Sequence, residues 1–227
     1  MANVLVILSG CGVFDGSEIH ESVITLLHLD RADATVTIAA PNLDQMHGVN
    51  HLTGEPTHET RNVLIESARI ARGEVEDLAG IRGDAFDAII FPGGYGAAKN
   101  LCNFATEADH CEVHPEVARI LREAHQASKP IGLICISPTI GAKVITGSTL
   151  TIGTDETTAA AIEKMGSHHQ PRQTEEICVD QCNRIVSTPA YMSAERISEV
   201  YEGIGKLVER VLQMAQQPVP QPMHAND

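Results

Sequence analysis

Four short apolar runs, each closed by a glycine, a proline or an abrupt helix start, constrain this chain more than any other feature. Residues 4–8 form a continuous β-rich run that ends at Ser9-Gly10. Residues 35–40 stop at Pro41, residues 86–91 stop at Pro92-Gly93-Gly94, and residues 131–135 run into Ser137-Pro138. Runs of this length without polar alternation suit strands buried on both faces. Between them apolar residues recur at helical spacing, as at Ile19, Val23, Leu26 and Leu27, with Ser17 placed to cap the helix. The same reading predicts helices over residues 63–73, from Ala97, over 115–127, from Thr154 or Asp155 to Met165, and over 193–214. Shorter strands are expected at 150–152, 177–179 and 184–187, the last two around a turn at 180–183. Strands alternating with helices mean βαβ units and a mostly parallel sheet. No internal repeat or linker breaks the pattern. One α/β domain over residues 1–215 is therefore expected, followed by a Pro/Gln-rich tail, 216–227, read as loose.

Composition narrows the class. Aromatics are 3% of the chain and Trp is absent, so the core must rest on Val, Ile, Leu and Ala. A formal charge of -14 argues against nucleic acid or an anionic membrane as partner, because phosphate contacts need a Lys/Arg surface. No apolar stretch approaches the roughly 20 residues that a membrane span needs. The first residues have no basic flank, and the apolar run there is too short for a signal peptide. Six cysteines are accordingly read as free thiols in a reducing, cytoplasmic setting.

Among those thiols Cys135 stands apart, because it leaves a strand end and meets a helix N-terminus at Pro138. Ligands of open α/β sheets bind at the carboxyl ends of strands, and the positive end of a helix lowers a thiol's pKa. The backbone N–H of Ile136 sits where the residue after a nucleophile serves an oxyanion. The glycines at 93 and 94 let backbone N–H groups approach a ligand, although no Gly-Lys-Ser/Thr follows to make a phosphate loop. Glu18 and Glu21 lie one helical turn apart just after the first strand. Either suits a helix dipole, and beside Cys135 either would move protons. His110, Cys111, His114, His168, His169 and the Cys178/Cys182 pair lack the spacing of a metal site.

These segments together resemble the ElbB glyoxalase group of the PfpI superfamily. The resemblance is carried by Leu8-Ser-Gly-Cys-Gly-Val-Phe-Asp-Gly-Ser-Glu-Ile-His-Glu21, His51-Leu-Thr-Gly-Glu55, Glu59-Thr-Arg-Asn-Val-Leu-Ile-Glu66, Pro92-Gly-Gly-Tyr-Gly-Ala-Ala-Lys-Asn-Leu101, Cys135-Ile-Ser-Pro138, Thr151-Ile-Gly-Thr-Asp155 and Thr188-Pro-Ala-Tyr191. It implies a flavodoxin-like, class I glutamine amidotransferase-like fold: a three-layer α/β/α sandwich with a mostly parallel central sheet. It implies Cys135 as nucleophile, Glu21 as its proton partner with Glu18 as the alternative, and an oxyanion N–H at Gly94 beside Gly93. It also implies a homodimer and a glutathione-independent, cofactor-free glyoxalase that turns glyoxal or methylglyoxal, small dicarbonyl substrates, into the 2-hydroxy acid. One departure matters. Many superfamily members carry a His beside the nucleophile, whereas Ile136 follows Cys135 here and residues 137–144 contain no His. That argues against a Cys-His-acid triad and weakens peptidase and glutaminase readings. The rivals are a non-catalytic redox sensor using the same thiol and a protein deglycase. Residues 51–66 have no place in this chemistry; Arg61 and Glu55 either line the pocket or pair and cap a helix, and the structural reading is preferred.

Overall fold

The computed structural model describes residues 1–217. Its elements run β1 (Asn3–Ile7), α1 (Ile19–Arg31), β2 (Thr35–Ala40), β3 (Gly48–Val49), β4 (Pro56–Thr57), α2 (Val63–Ile70), β5 (Glu76–Asp77) and β6 (Ala88–Phe91). They continue with α3 (Tyr95–Lys99), α4 (Phe104–Glu107), α5 (Pro115–Gln126), β7 (Ile131–Ile134), α6 (Pro138–Val144), β8 (Thr149–Leu150), α7 (Glu156–Lys164), β9 (His168–His169), β10 (Cys178–Asp180), β11 (Ile185–Thr188) and α8 (Ile197–Gln216).

Seven strands form one sheet in the order β10-β11-β7-β6-β1-β2-β5. Every pair in it is parallel except the edge pair β10–β11. The apolar runs explain the layers. In β1, Leu5 and Ile7 point into a core shared with Leu121 and Ile120 of α5, while Val4 and Val6 point into one shared with Ile24 of α1 and Leu207 of α8. β6 splits the same way, with Ile89 and Phe91 on one side and Ala88 and Ile90 on the other. A strand covered by helices on both faces thus reads as a continuous apolar run although its side chains still alternate. This is the expected three-layer α/β/α sandwich.

Several boundaries differ from the sequence reading. Ser17 does not cap α1. Its hydroxyl accepts the Ser9 N–H at 2.8 Å, and Glu18 caps the helix instead by accepting the Glu21 N–H at 2.6 Å. β6 starts at Ala88, because Phe86 belongs to the turn before it. His168 and His169, for which no strand was expected, form a two-residue strand paired with β8. The final helix starts later, at Ile197, and ends at Gln216, so the first residue assigned to the tail is helical. Gln217 follows as the helix C-cap, and the remaining tail residues, 218–227, lie outside the described residues. Among the described residues no helix is long and apolar enough to cross a membrane.

Candidate active site

Parallel strands deliver their carboxyl ends to one edge of the sheet, and the site gathers there, above β1, β6 and β7. At the end of β7 the chain turns straight into α6, with Ser137 at the cap and Pro138 in the first turn. The turn puts Cys135 at φ +63°. For a residue with a Cβ this left-handed conformation costs of order 1–3 kcal/mol. The surroundings hold it: Cys135 N–H donates to Thr188 O at 2.9 Å, and the Ser137 hydroxyl donates to Pro92 O at 2.8 Å.

α1 delivers the acid. Glu21 is fully buried. Its Oε2 accepts the Gly93 N–H at 2.9 Å and its Oε1 accepts the Tyr191 N–H at 3.2 Å. Burial, reinforced by the charge of Glu18, pushes its carboxyl up to about 8. The carboxyl faces the Cys135 thiol, which is 7% exposed. Burial, and then the Glu21 charge, pushes that thiol well above its ordinary value, while the N–H groups of Gly94 and Ile136 aimed at Sγ pull the other way. Two buried acids in contact cannot both ionise. The pair therefore keeps at least one proton: the carboxyl ionises before the thiol, and the N–H groups on the sulfur serve the thiolate once it has passed its proton to Glu21.

This corrects two expectations. The helix N-terminus does not give Cys135 a low pKa, because desolvation outweighs it. Gly93 does not offer its N–H to an oxyanion, since that group is spent on Glu21. Gly94 and Ile136 do point their N–H groups at the nucleophile. Both glycines are sterically required. A Cβ on Gly93 would fall onto Cys135 Cβ and come within 2.7 Å of Glu21 Oε2, and one on Gly94, at φ +93°, would fall onto the backbone of Glu18.

A cavity of about 550 Å³ opens over Cys135, walled by Val13, Tyr95, Phe104, Ile136 and Met192 with Glu18, Lys99, Asp155 and Tyr191 among them. A larger groove of about 770 Å³ lies between α1 and α8 and holds no nucleophile. The chemistry belongs to the smaller cavity. Arg61 and Glu55 do not line it, and Arg61 pairs with Glu59 at 2.7 Å. The segment around them instead clamps the loop after β1: Val49 N–H donates to Asp15 Oδ2 at 2.7 Å, and Gln45 Nε2 donates to Asp15 O at 2.9 Å.

Sequence reasoning missed Tyr191 as a site residue. It follows Ala190, a buried residue at φ +45°, and its hydroxyl lies 2.8 Å from Nδ1 of His20 on α1. The Thr188-Pro-Ala-Tyr191 motif was the signal that pointed there.

Residues 4–195 match the profile of the DJ-1/PfpI family. The human protein named "Glutamine amidotransferase-like class 1 domain-containing protein 3, mitochondrial" is 48% identical over 223 residues, spanning 94% of this chain and 83% of the relative. The zebrafish (Danio rerio) "ES1 protein, mitochondrial" is 35% identical over 231 residues, spanning 93% and 86%. A solved isoprenoid biosynthesis protein with an amidotransferase-like domain, from Ehrlichia chaffeensis, superposes with a TM-score of 0.87 at 42% identity, covering 93% of this chain and 99% of that one. Glyoxalase III from Candida albicans superposes at 0.59 with 13% identity, covering 94% and 97%, which is a likeness of fold.

Proposed function

The chain belongs to the DJ-1/PfpI family and carries a class I glutamine amidotransferase-like domain, and from that premise we propose that it is a cysteine-dependent, glutathione-independent glyoxalase of the ElbB type. The observation that carries the reading is the buried Glu21–Cys135 pair, with the Gly94 and Ile136 N–H groups on the sulfur. The thiolate adds to one aldehyde carbon of glyoxal, and Glu21 gives its proton to the oxygen formed there. Glu21, now a carboxylate, takes the hydrogen from that carbon and returns a proton to the neighbouring carbon. Water then hydrolyses the thioester to glycolate. These steps call on no cofactor. Hydrolysis of an amide would need an acid for a poor amine leaving group, and no His flanks Cys135 to supply one.

A substrate larger than glyoxal is favoured by one observation. The cavity of about 550 Å³ falls within the roughly 300–1,000 Å³ of pockets that hold drug-sized ligands. Glycated amines, the substrates of a deglycase, therefore belong in the test. Turnover of glyoxal, methylglyoxal and a glycated amine is measured alongside mass spectrometry after mild peroxide. The reading expects turnover of a dicarbonyl. Negligible turnover of all three, with selective oxidation at Cys135, would make the protein a redox sensor instead.

Two expectations carry over as proposals. The protein works as a homodimer, for which Ile19, Val23 and Leu27 offer an exposed apolar stripe along α1. It resides in a reducing compartment. The cytosol fits the sequence, the two curated relatives are named mitochondrial, and the six free cysteines suit either.

A further inference from the structure

The glyoxalase reading leaves one proton without a carrier. Turning the hemithioacetal –S–CH(OH)–CHO into the thioester –S–CO–CH₂OH moves two protons. One goes from carbon to carbon, and Glu21 lies against the thiol that holds that carbon. The other goes from the first oxygen to the second, and the missing His would be the ordinary agent for it.

Tyr191 occupies the cavity over Cys135 together with Ile136 and Gly94. It is tied to α1 at two points, by its N–H on Glu21 Oε1 at 3.2 Å and by its hydroxyl on His20 Nδ1 at 2.8 Å. His20 and Glu21 are neighbours in the first turn of α1, which buries the Glu21 carboxyl and leaves the His20 imidazole exposed. The strained residue before Tyr191, Ala190 at φ +45°, is the kind of local cost that a fold retains where geometry serves a site. Burial and the nearby charges of Glu18 and Glu21 keep the phenol protonated.

We infer that Tyr191, backed by His20, is the second acid–base group of the reaction and takes the place of the absent His. The inference rests on the glyoxalase reading. As Glu21 removes the hydrogen of the first carbon, the C–H electron pair forms the carbon–carbon double bond. The carbonyl pair of the second carbon moves to its oxygen, which takes the Tyr191 proton. Nδ1–H of His20 then donates to the phenolate. When Glu21 returns its proton to the second carbon, the first hydroxyl becomes a carbonyl and its proton returns to Tyr191. The first carbon is oxidised and the second reduced within one molecule, so no outside oxidant enters.

Tyr191→Phe removes the hydroxyl and keeps the ring and the N–H on Glu21. With glyoxal the variant is expected to lose about a hundredfold or more in kcat, with KM within about twofold of wild type and iodoacetamide labelling of Cys135 unchanged. His20→Gln is expected to lose kcat in the same direction by a smaller factor, again with labelling unchanged. An active wild type with Tyr191→Phe turning over at a similar rate would overturn the inference and leave the glyoxalase reading standing. Loss of turnover and labelling in parallel would also overturn it, because Tyr191 would then be holding the site rather than moving a proton. A wild type that turns over no dicarbonyl would overturn the glyoxalase reading, and the inference with it.

Discussion

Replacing Glu21 with Gln tests the site through stability rather than turnover. In the unfolded chain the carboxyl titrates near 4.5, and in the fold burial raises it to about 8. The native state therefore binds the proton more tightly. Stability from that proton is fully present below the unfolded value and is lost as pH rises through the folded one, by up to about 1.4 kcal/mol per pH unit. At pH 7 the loss amounts to about 3 kcal/mol for a shift of this size. Gln cannot ionise, so the variant escapes it. Gln also presents an N–H₂ where two backbone N–H groups already point, an unsatisfied contact that costs about 1–3 kcal/mol at any pH. The informative quantity is thus the pH dependence of the difference, in which other titrating groups cancel. Urea unfolding of both proteins, followed by circular dichroism, is expected to show the variant gaining about 3–4 kcal/mol on wild type between about pH 5 and 8. A difference that stays flat within about 1 kcal/mol over that range would refute the claim that the Glu21 carboxyl is buried and protonated.

Other outcomes follow from the same geometry. Iodoacetamide labelling of Cys135 should stay slow at neutral pH and rise only in the alkaline range, because burial and the Glu21 charge push that thiol well above its ordinary value; a rate already at its plateau at pH 6 would mean a thiolate stabilised as the helix N-terminus alone suggests. Gly93→Ala, whose methyl would collide with Cys135 Cβ, should cost about 1–3 kcal/mol in stability and abolish labelling and turnover together, and normal labelling in a folded variant would contradict the packing described. Val23→Glu should convert a dimer to a monomer in analytical ultracentrifugation, and a wild type that is already monomeric at micromolar concentration would rule out the α1 stripe as an interface.

Much of the scaffold was legible because its signals are local. The apolar runs of β1, β2, β6 and β7, the Pro92-Gly93-Gly94 stop and Pro138 at the start of α6 each declare themselves within a few residues. The strand-to-helix turn singled out Cys135 for the same reason, while spacing left Glu18 and Glu21 equal and only the family resemblance favoured Glu21. What the sequence concealed depends on distant packing. The raised thiol pKa comes from Glu21 and from burial under residues far along the chain. The Gly93 N–H looks free until α1 lays a carboxylate on it. Ser17 resembles a cap until the tight loop turns its hydroxyl back to Ser9. β5 consists of two exposed acidic residues, Glu76 and Asp77, and has no periodicity to read. The His20–Tyr191 contact joins residues 171 positions apart, beyond any local pattern.

The central claim is that the Cys135 sulfur performs the chemistry. Its most direct test is proton NMR of glyoxal consumption by wild type and Cys135→Ala at equal concentration. Glycolate should accumulate with wild type and stay at the enzyme-free rate with the variant, whereas glycolate formed at the full wild-type rate by Cys135→Ala would contradict the account.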